Sequence, residues 1–201
     1  MNILLAIMIG YLLGNINASY ILGKFFKGID IREKGTSNAG AANAVIVFGW
    51  KFGAASFLID ALKAATAMWI IKYITNGNTD LSVLAGSMAM VEHIYPVFMK
   101  FKGGKGIASI LGIMLGLNGY IALVLYITIV LGAIISNNLI VGELLILILF
   151  PVAVYLFGYS NFAVALIVFV CLLSTYKLRD NLSRTFRGTE QKLSSVLHKK
   201  K

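Results

Sequence analysis

The chain has 201 residues, of which 59% are hydrophobic, and its formal net charge is +10. Its mean hydropathy of +0.85 exceeds that of water-soluble domains with polar exteriors, so the composition excludes a soluble globular protein. The basic residues are divided among short segments rather than gathered on one soluble domain, which argues against nucleic-acid binding.

About 20 helical residues cross about 30 Å of hydrocarbon, fewer where a helix is short, and on this basis we count seven apolar segments as candidate spans. We therefore predict an all-α integral membrane protein with about seven transmembrane helices, built as one polytopic domain over residues 1–201. The second segment is too long for a simple span and is expected to be broken or tilted, and the fourth is short. The predicted spans, in chain order, are 3–25, 43–73, 81–98, 106–117, 120–135, 139–157 and 162–176.

Lysine and arginine concentrate in three connections: GKFFKGIDIREKG, MKFKGGKG and the tail from YKLRDNLSRTFRG to the terminal HKKK. The connections TNGNTD, LNGY and GYSN contain neither residue type. Because cytoplasmic connections hold the excess of basic residues, we predict an outside amino terminus and a cytoplasmic, basic carboxyl-terminal tail. This bias, together with attraction to anionic membrane lipid, accounts for the net charge.

The first basic connection contains a glycine-rich polar stretch, DIREKGTSNAGAAN at 30–43, which has no helical apolar period. Glycines with short hydroxyl and amide side chains let a backbone curl its N–H groups around an anion. The second span begins here, and a helix start adds partial positive charge, so the pattern indicates an anion-binding loop. Its polar and glycine residues are Gly35, Thr36, Ser37, Asn38, Gly40 and Asn43.

The second basic connection repeats this arrangement in KGGKG. Gly103 and Gly104 permit close approach of a ligand to the backbone, Lys105 supplies a mobile cation, and a helix starts at Gly106. The spacing does not fit a Walker A loop, which disfavours an NTPase. The alternative is that the glycines serve only a tight turn and close helix packing. A third polar segment, NLSRTFRGTEQK, predicted on the same membrane face, favours a binding role.

Ionisable residues inside the apolar segments are costly unless they are paired or functional. Asp60 and Lys63 are three residues apart and are interpreted as a structural ion pair. His93 is a general base, a ligand-orienting group or a local hydrogen-bonding residue. The chain has only one other histidine, His198, and no metal-ligand spacing, so we predict no metal site.

Together the three polar segments resemble the motifs of the bacterial acyl-phosphate-dependent glycerol-3-phosphate acyltransferases, the PlsY type. The matching stretches are DIREKGTSNAGAAN, HIYPVFMKFKGGKG and NLSRTFRGTE, and the second is nearly perfect. The resemblance implies a multi-pass enzyme of the bacterial inner membrane. Its reaction would move a fatty acyl group from acyl phosphate to the 1-position of glycerol 3-phosphate, giving lysophosphatidic acid for phospholipid synthesis. We expect no cofactor and no nucleic-acid partner, and the oligomeric state is left open.

The resemblance also implies site residues. Lys105, Asn38 and His93 are expected to be catalytic. Because acyl phosphate has a good leaving group, positioning and charge stabilisation suffice without a covalent enzyme intermediate. The expected phosphate- and substrate-binding residues are Thr36, Ser37, Gly40, Asn43, Gly103, Gly104, Asn181, Arg184 and Glu190.

The chain departs from the family pattern at several polar positions. Thr36 replaces a serine but keeps the hydroxyl, whereas other changes remove polar groups. These departures leave a second hypothesis open, a noncatalytic or substrate-shifted paralogue. A small transporter or channel is a third, disfavoured because the polar residues gather at one membrane face rather than at mid-span. The departures are Ala18 for proline, Ala42 for threonine, Ile46 for arginine, Leu178 for histidine, and Asn137 and Ile140 in a segment that usually holds arginine and serine.

Overall fold

The structure is a computed structural model that describes residues 1–197, and these residues form α-helices and two short 3-10 turns but no strand. The terminal HKKK of the predicted basic tail, which includes His198, lies outside the described residues. The helices are α1 Asn2–Gly14, α2 Ala18–Lys27, α3 Ala41–Phe48, α4 Trp50–Ile74, α5 Thr79–Ile94, α6 Ile107–Leu117, α7 Gly119–Ser136, α8 Leu139–Leu156, α9 Asn161–Phe186 and α10 Leu193–Leu197.

Six stretches are long and apolar enough to cross a membrane, and α6 is a shorter apolar helix. These seven match the predicted segments one for one and confirm an all-α, multi-pass membrane protein with about seven spans. The first stretch, Asn2–Lys27, contains both α1 and α2. The overlong second segment is broken at Gly49, whose φ of +92° is rarely adopted by residues with a side chain and separates α3 from α4.

The last span is longer than predicted, because α9 continues to Phe186 through residues that we expected to form a basic loop. Ser174, Leu178 and Asn181 are buried at helical spacing along this extension. Packing of that face keeps the polar segment helical. The helix ends shortly before Gly188, whose φ is +69°.

Short polar connections begin four of the helices. Asn78, Asn118, Asn138 and Ser160 each accept a hydrogen bond from a backbone N–H in the first turn of α5, α7, α8 and α9, respectively. A helix start leaves its first N–H groups without intrahelical partners, and these side chains supply one. Local sequence therefore sets these boundaries.

The chain divides into two compact units, Met1–Leu117 and Asn118–Lys201, and the predicted single-domain organisation stays a prediction. In the first unit, α1 packs on α5 through buried Gly10 and Gly14. A Cβ at either glycine would overlap the carbonyl oxygen of Ala85 or Ala89, respectively. Small residues allow this close approach of helices in a membrane protein.

Glycines also set two other helix contacts. In the first unit, α6 packs on α4, where Gly112 lies against the carbonyl of Ala61. In the second unit, α8 packs on α7 and α9, and Gly142 lies against the carbonyl of Ile129. Close helix packing of this kind holds the polar loops of each unit on a rigid frame.

Candidate functional site

The first motif loop is organised by the buried side chain of Asn43 at the start of α3. Its amide nitrogen lies 3.0, 3.1 and 2.8 Å from the carbonyl oxygens of Ile31, Lys34 and Asn38, respectively. Its amide oxygen accepts a 2.8 Å hydrogen bond from the backbone N–H of Thr36. The Asn43 side chain is fully buried and holds the shape of the loop, and its contact with phosphate stays a prediction.

The outer side of this loop presents polar groups beside the start of α3. Thr36 and Ser37 are exposed, and Asn38 is partly exposed. The Asn38 amide donates to the Thr36 hydroxyl at 2.8 Å and accepts from the backbone N–H of Gly40 at 2.9 Å. Gly35 and Ser37 both have positive φ, which gives the loop its tight curvature. These five polar and glycine positions are all exposed or partly exposed and form the accessible side of the loop.

The second motif loop folds back onto the carboxyl end of α5. The N–H groups of Gly103 and Gly104 donate to the carbonyl oxygens of Ile94 and His93, respectively, both at 3.1 Å. A Cβ on either glycine would overlap atoms of His93. The two glycines therefore permit close packing, and their amides are engaged within the loop, which supports the alternative reading of their role.

Lys105 follows Gly104 in the chain, and its side chain is partly exposed. Gly106 has a φ of +90°, and α6 begins at the next residue, Ile107. The first turn of a helix carries N–H groups without intrahelical partners and a partial positive charge. A cationic side chain at a helix start suits an anionic ligand.

The two loops are in contact with each other. The N–H of Ala39 donates to the carbonyl of Gly103 at 3.4 Å, and Arg32 Nη1 donates to the carbonyl of Met99 at 2.7 Å. Beneath these bonds, Ile31, Ala39 and Met99 form part of a buried apolar cluster. The structure thus brings the first and second sequence motifs together in one unit.

Arg32 was not singled out from the sequence, although it belongs to the quoted motif. Its guanidinium pairs with Asp30 through two bonds, Nη2 to Oδ2 at 2.7 Å and Nε to Oδ1 at 3.0 Å. The hydrogen bond to Arg32 lowers the pKa of the Asp30 carboxyl, and the same bond raises the pKa of Arg32. The pair keeps Arg32 aimed at the second loop.

His93 lies behind the second loop and is only 2% exposed. Its Nδ1 is 3.0 Å from Lys63 Nζ and 3.4 Å from Asp60 Oδ1. The predicted Asp60–Lys63 pair is present at 3.0 Å, and the ring completes a buried cluster with it. The catalytic assignment of His93 stays a prediction, and its burial favours the alternative of a local hydrogen-bonding residue.

The third motif lies in the second unit and spans the end of α9 and the turn after it. Glu190 folds back toward the helix, and its carboxylate accepts from Arg184 Nε at 2.8 Å and from Asn181 Nδ2 at 3.0 Å. Arg184 keeps a partly exposed side chain, whereas Asn181 is buried. Glu190 therefore orients Arg184 and Asn181, since a carboxylate that faced a phosphate would repel it.

A polar cavity of about 240 Å³ adjoins this motif within the second unit. Asn138 Nδ2 lies 3.3 Å from the hydroxyl of Thr185 at its wall. Sequence reasoning missed Thr185, although it stands inside the third motif. The lining residues are Ser136, Asn137, Asn138, Thr185, Gly188, Glu190 and Lys192.

The departures from the family pattern fall in different surroundings. Leu178 and Ile140 are buried in the second unit, at 0% and 5% exposure, whereas Ile46 on α3 is partly exposed. Ala42, four residues before Ile46, is exposed. Positions 42 and 46 therefore adjoin the first loop, and positions 140 and 178 contribute apolar packing.

Among residues 1–197, no three histidine, cysteine or carboxylate side chains come together as metal ligands would.

Residues 4–188 match the family described as glycerol-3-phosphate acyltransferase. The chain is 36% identical to glycerol-3-phosphate acyltransferase 1 of Oceanobacillus iheyensis, over 98% of this chain and 97% of that protein. It is 39% identical to the glycerol-3-phosphate acyltransferase of Thermoanaerobacter pseudethanolicus, over 94% of each.

Two crystal structures of PlsY (YgiH), an integral membrane glycerol 3-phosphate acyltransferase, have similar folds and 26% sequence identity to this chain. The glycerol 3-phosphate form gives a TM-score of 0.91 and covers 99% of this chain and 100% of that one. The lysophosphatidic acid form gives 0.86, with 98% and 99% covered. The agreement in sequence and fold over nearly the whole chain confirms the resemblance carried by the three motifs: this chain belongs to the glycerol-3-phosphate acyltransferase family, PlsY type.

Proposed function

We propose that the chain transfers a fatty acyl group from acyl phosphate to the 1-position of glycerol 3-phosphate, forming lysophosphatidic acid and phosphate. The observation that carries this proposal is the contact between the two motif loops of the first unit. Because Ala39 bonds to Gly103, Asn38 and Lys105 lie within two residues of the same contact. A polar residue and a cationic residue thus come from the two loops to the neighbourhood of one contact.

The chemistry of both substrates suits these groups. The acceptor hydroxyl oxygen attacks the acyl carbon and loses its proton, and phosphate leaves with the electrons of the broken C–O bond and takes up that proton. Lys105 and the first turn of α6 stabilise the negative charge on the departing phosphate. We assign this role to Lys105 and the helix start, because the amides of Gly103 and Gly104 are already bonded to α5.

The remaining predicted residues divide into contacting and supporting groups. In the first loop, Thr36, Ser37, Asn38 and Gly40 are accessible and form the proposed polar contacts, while Asn43 shapes the loop. In the third motif, Arg184 and Asn181 are the proposed phosphate-handling groups, and Glu190 orients them. The proposed acceptor and product are supported by the ligand forms of the PlsY crystal structures.

We further infer that the protein resides in the bacterial inner membrane with its amino terminus outside. The three basic connections then face the cytoplasm, from which the water-soluble substrate glycerol 3-phosphate would bind. Six membrane-length stretches support the multi-pass arrangement.

The test is a transfer assay with purified protein in phospholipid vesicles, supplied with glycerol 3-phosphate and either acyl phosphate or acyl-coenzyme A. We expect lysophosphatidic acid and an equal amount of phosphate with acyl phosphate alone. Binding of both substrates without turnover would instead favour a noncatalytic paralogue, a possibility that the apolar, buried Ile140 and Leu178 raise.

A further inference from the structure

A buried charged cluster lies within the membrane-length helices of the first unit. We name it the Lys63 cluster; it consists of Asp60 and Lys63 on α4 and His93 on α5. None of the three is more than 4% exposed. Burying ionisable side chains in a membrane-spanning helix costs free energy, so their presence here points to a defined role.

One side of the Lys63 cluster holds the break between α1 and α2. Lys63 Nζ donates to the carbonyl oxygens of Gly14 and Ile16, at 3.0 and 2.6 Å. Asp60 Oδ1 accepts from the N–H of Ala18, the first residue of α2, at 3.5 Å. The cation thus lies at the negative end of α1 and the anion at the positive end of α2, as the helix dipoles favour. The pair supplies partners for backbone groups that hydrocarbon cannot satisfy.

The other side of the Lys63 cluster sets the orientation of the His93 ring. Nδ1 lies closer to the Lys63 ammonium, at 3.0 Å, than to Asp60 Oδ1, at 3.4 Å. Both contacts are made at Nδ1, so Lys63 and Asp60 hold this edge of the ring. The opposite Nε2 edge lies on the side of the second loop.

His93 in turn holds Gly104 at two points. Its carbonyl oxygen accepts the Gly104 N–H at 3.1 Å, and the Nε2 edge of its ring stands where a Cβ of Gly104 would lie. Rotation of the ring would press on the loop backbone. Because Lys105 follows Gly104 directly, the ring angle controls where the lysine side chain begins.

We propose that the Lys63 cluster is a positioning device for the acyl transfer, and this inference rests on the proposed function. Asp60 and Lys63 lock the His93 ring, the ring locks Gly104, and Gly104 sets the backbone from which Lys105 reaches the phosphate. Asp60 and Lys63 are positioning residues in this proposal, because both are almost fully buried and act on the loop through His93.

The test uses a double variant, Asp60→Asn with Lys63→Met, because Lys63→Met alone leaves an uncompensated buried carboxylate and risks unfolding. Lys72→Met is the matched control, since Lys72 is an exposed lysine on the same helix. Thermal unfolding and size-exclusion profiles in detergent first establish which variants are folded.

The first readout is independent of activity. Hydrogen–deuterium exchange of the peptide covering residues 100–106 reports whether the amides of Gly103 and Gly104 keep their bonds to α5. We expect faster exchange in the folded double variant and unchanged exchange in Lys72→Met. Unchanged protection in a folded double variant would overturn the proposal, whatever the transfer assay shows.

The second readout is a kinetic cycle with Lys105→Ala. The double variant is expected to lower kcat roughly 10- to 100-fold with a smaller change in KM, because misplacement of about 1 Å costs that much. Lys105→Ala should then cost much less in the double variant than in the wild type, since the lysine is already misplaced. Fully additive effects would show that the cluster serves stability alone. If the wild type transfers no acyl group, the proposed function fails, while the exchange result still decides the structural link.

Discussion

The side chain of Lys105 is the group that the proposed mechanism places against the leaving phosphate. Lys105→Ala should lower kcat/KM by about 10- to 100-fold, the equivalent of losing one charge-assisted hydrogen bond of about 1.5–3 kcal/mol. Formation of lysophosphatidic acid in vesicles measures the effect. Lys102→Ala is the control, because Lys102 is an exposed lysine of the same loop and its long side chain can extend to the membrane surface. Unchanged turnover in correctly inserted Lys105→Ala protein would remove the assigned role.

Ile46 is the departure from the family pattern that the structure allows to be reversed. It is partly exposed on α3, one turn beyond Ala42 and next to the first loop. Ile46→Arg should tighten glycerol 3-phosphate binding and raise turnover several-fold, because it adds a cation near the proposed phosphate position. Titration calorimetry and the transfer assay test this, with Ile46→Met as a neutral control.

Restoring histidine at position 178 is a poorer test. Leu178 is fully buried, so an imidazole there would lose water without an assured partner and would destabilise the second unit. If Ile46→Arg is well folded and binds acyl phosphate but shows no gain in transfer, the substrate-shifted paralogue becomes the better hypothesis.

The Asp30–Arg32 pair gives a pH dependence of stability. Arg32 lowers the pKa of Asp30 in the folded protein. The pair therefore stabilises the fold above the unfolded carboxyl pKa of about 3.9, and this contribution disappears as pH falls through the lower folded value. The melting temperature of the wild type should exceed that of Asp30→Asn at pH 7, and the difference should shrink below about pH 4. A difference that grew on acidification would contradict the assigned ion pair.

At the level of elements, the first loop depends on one buried amide. Asn43→Ala would leave the carbonyl oxygens of Ile31, Lys34 and Asn38 without this donor. We expect a loss of about 2–4 kcal/mol in stability together with loss of transfer activity, because buried polar groups without partners are costly.

Thermal unfolding in detergent measures this loss. Asn38→Ala is the comparison, since the Asn38 side chain lies on the accessible side of the loop and its removal should reduce activity with little effect on melting. Equal melting temperatures for Asn43→Ala and the wild type would contradict the loop-shaping role.

At the level of the whole molecule, the basic connections predict its orientation in the membrane. In a Cys171→Ala background, Tyr120→Cys should react with an impermeant maleimide on intact cells, because LNGY lies in a connection without basic residues. Lys102→Cys should react only after permeabilisation. Both positions are exposed at the protein surface, so failure to label either one is not explained by burial. The reverse pattern would invert the proposed orientation.

Several features of the fold follow from local sequence. Apolar runs locate the membrane-length segments, because hydrocarbon requires long helices whose backbone bonds are internal. The overlong run at 43–73 predicts a break, and Gly49 provides it. The motif segments at 30–43 and 93–106 also predict which loops carry the site residues. Their glycines and short polar side chains differ clearly in composition from the apolar spans beside them.

The sequence by itself therefore determined the class of protein and its family and predicted the segments of the candidate site, because hydropathy and motif spacing are local properties. Only the tertiary structure decided what the individual groups do. Lys63 bonds to Gly14 and Ile16, which lie 49 and 47 residues earlier, and its contact with His93 spans 30 residues. Likewise, the amides of Gly103 and Gly104 turn toward the end of α5 rather than toward a ligand. Where a buried polar group finds its partner depends on which helices meet, and that is set by packing across the whole unit.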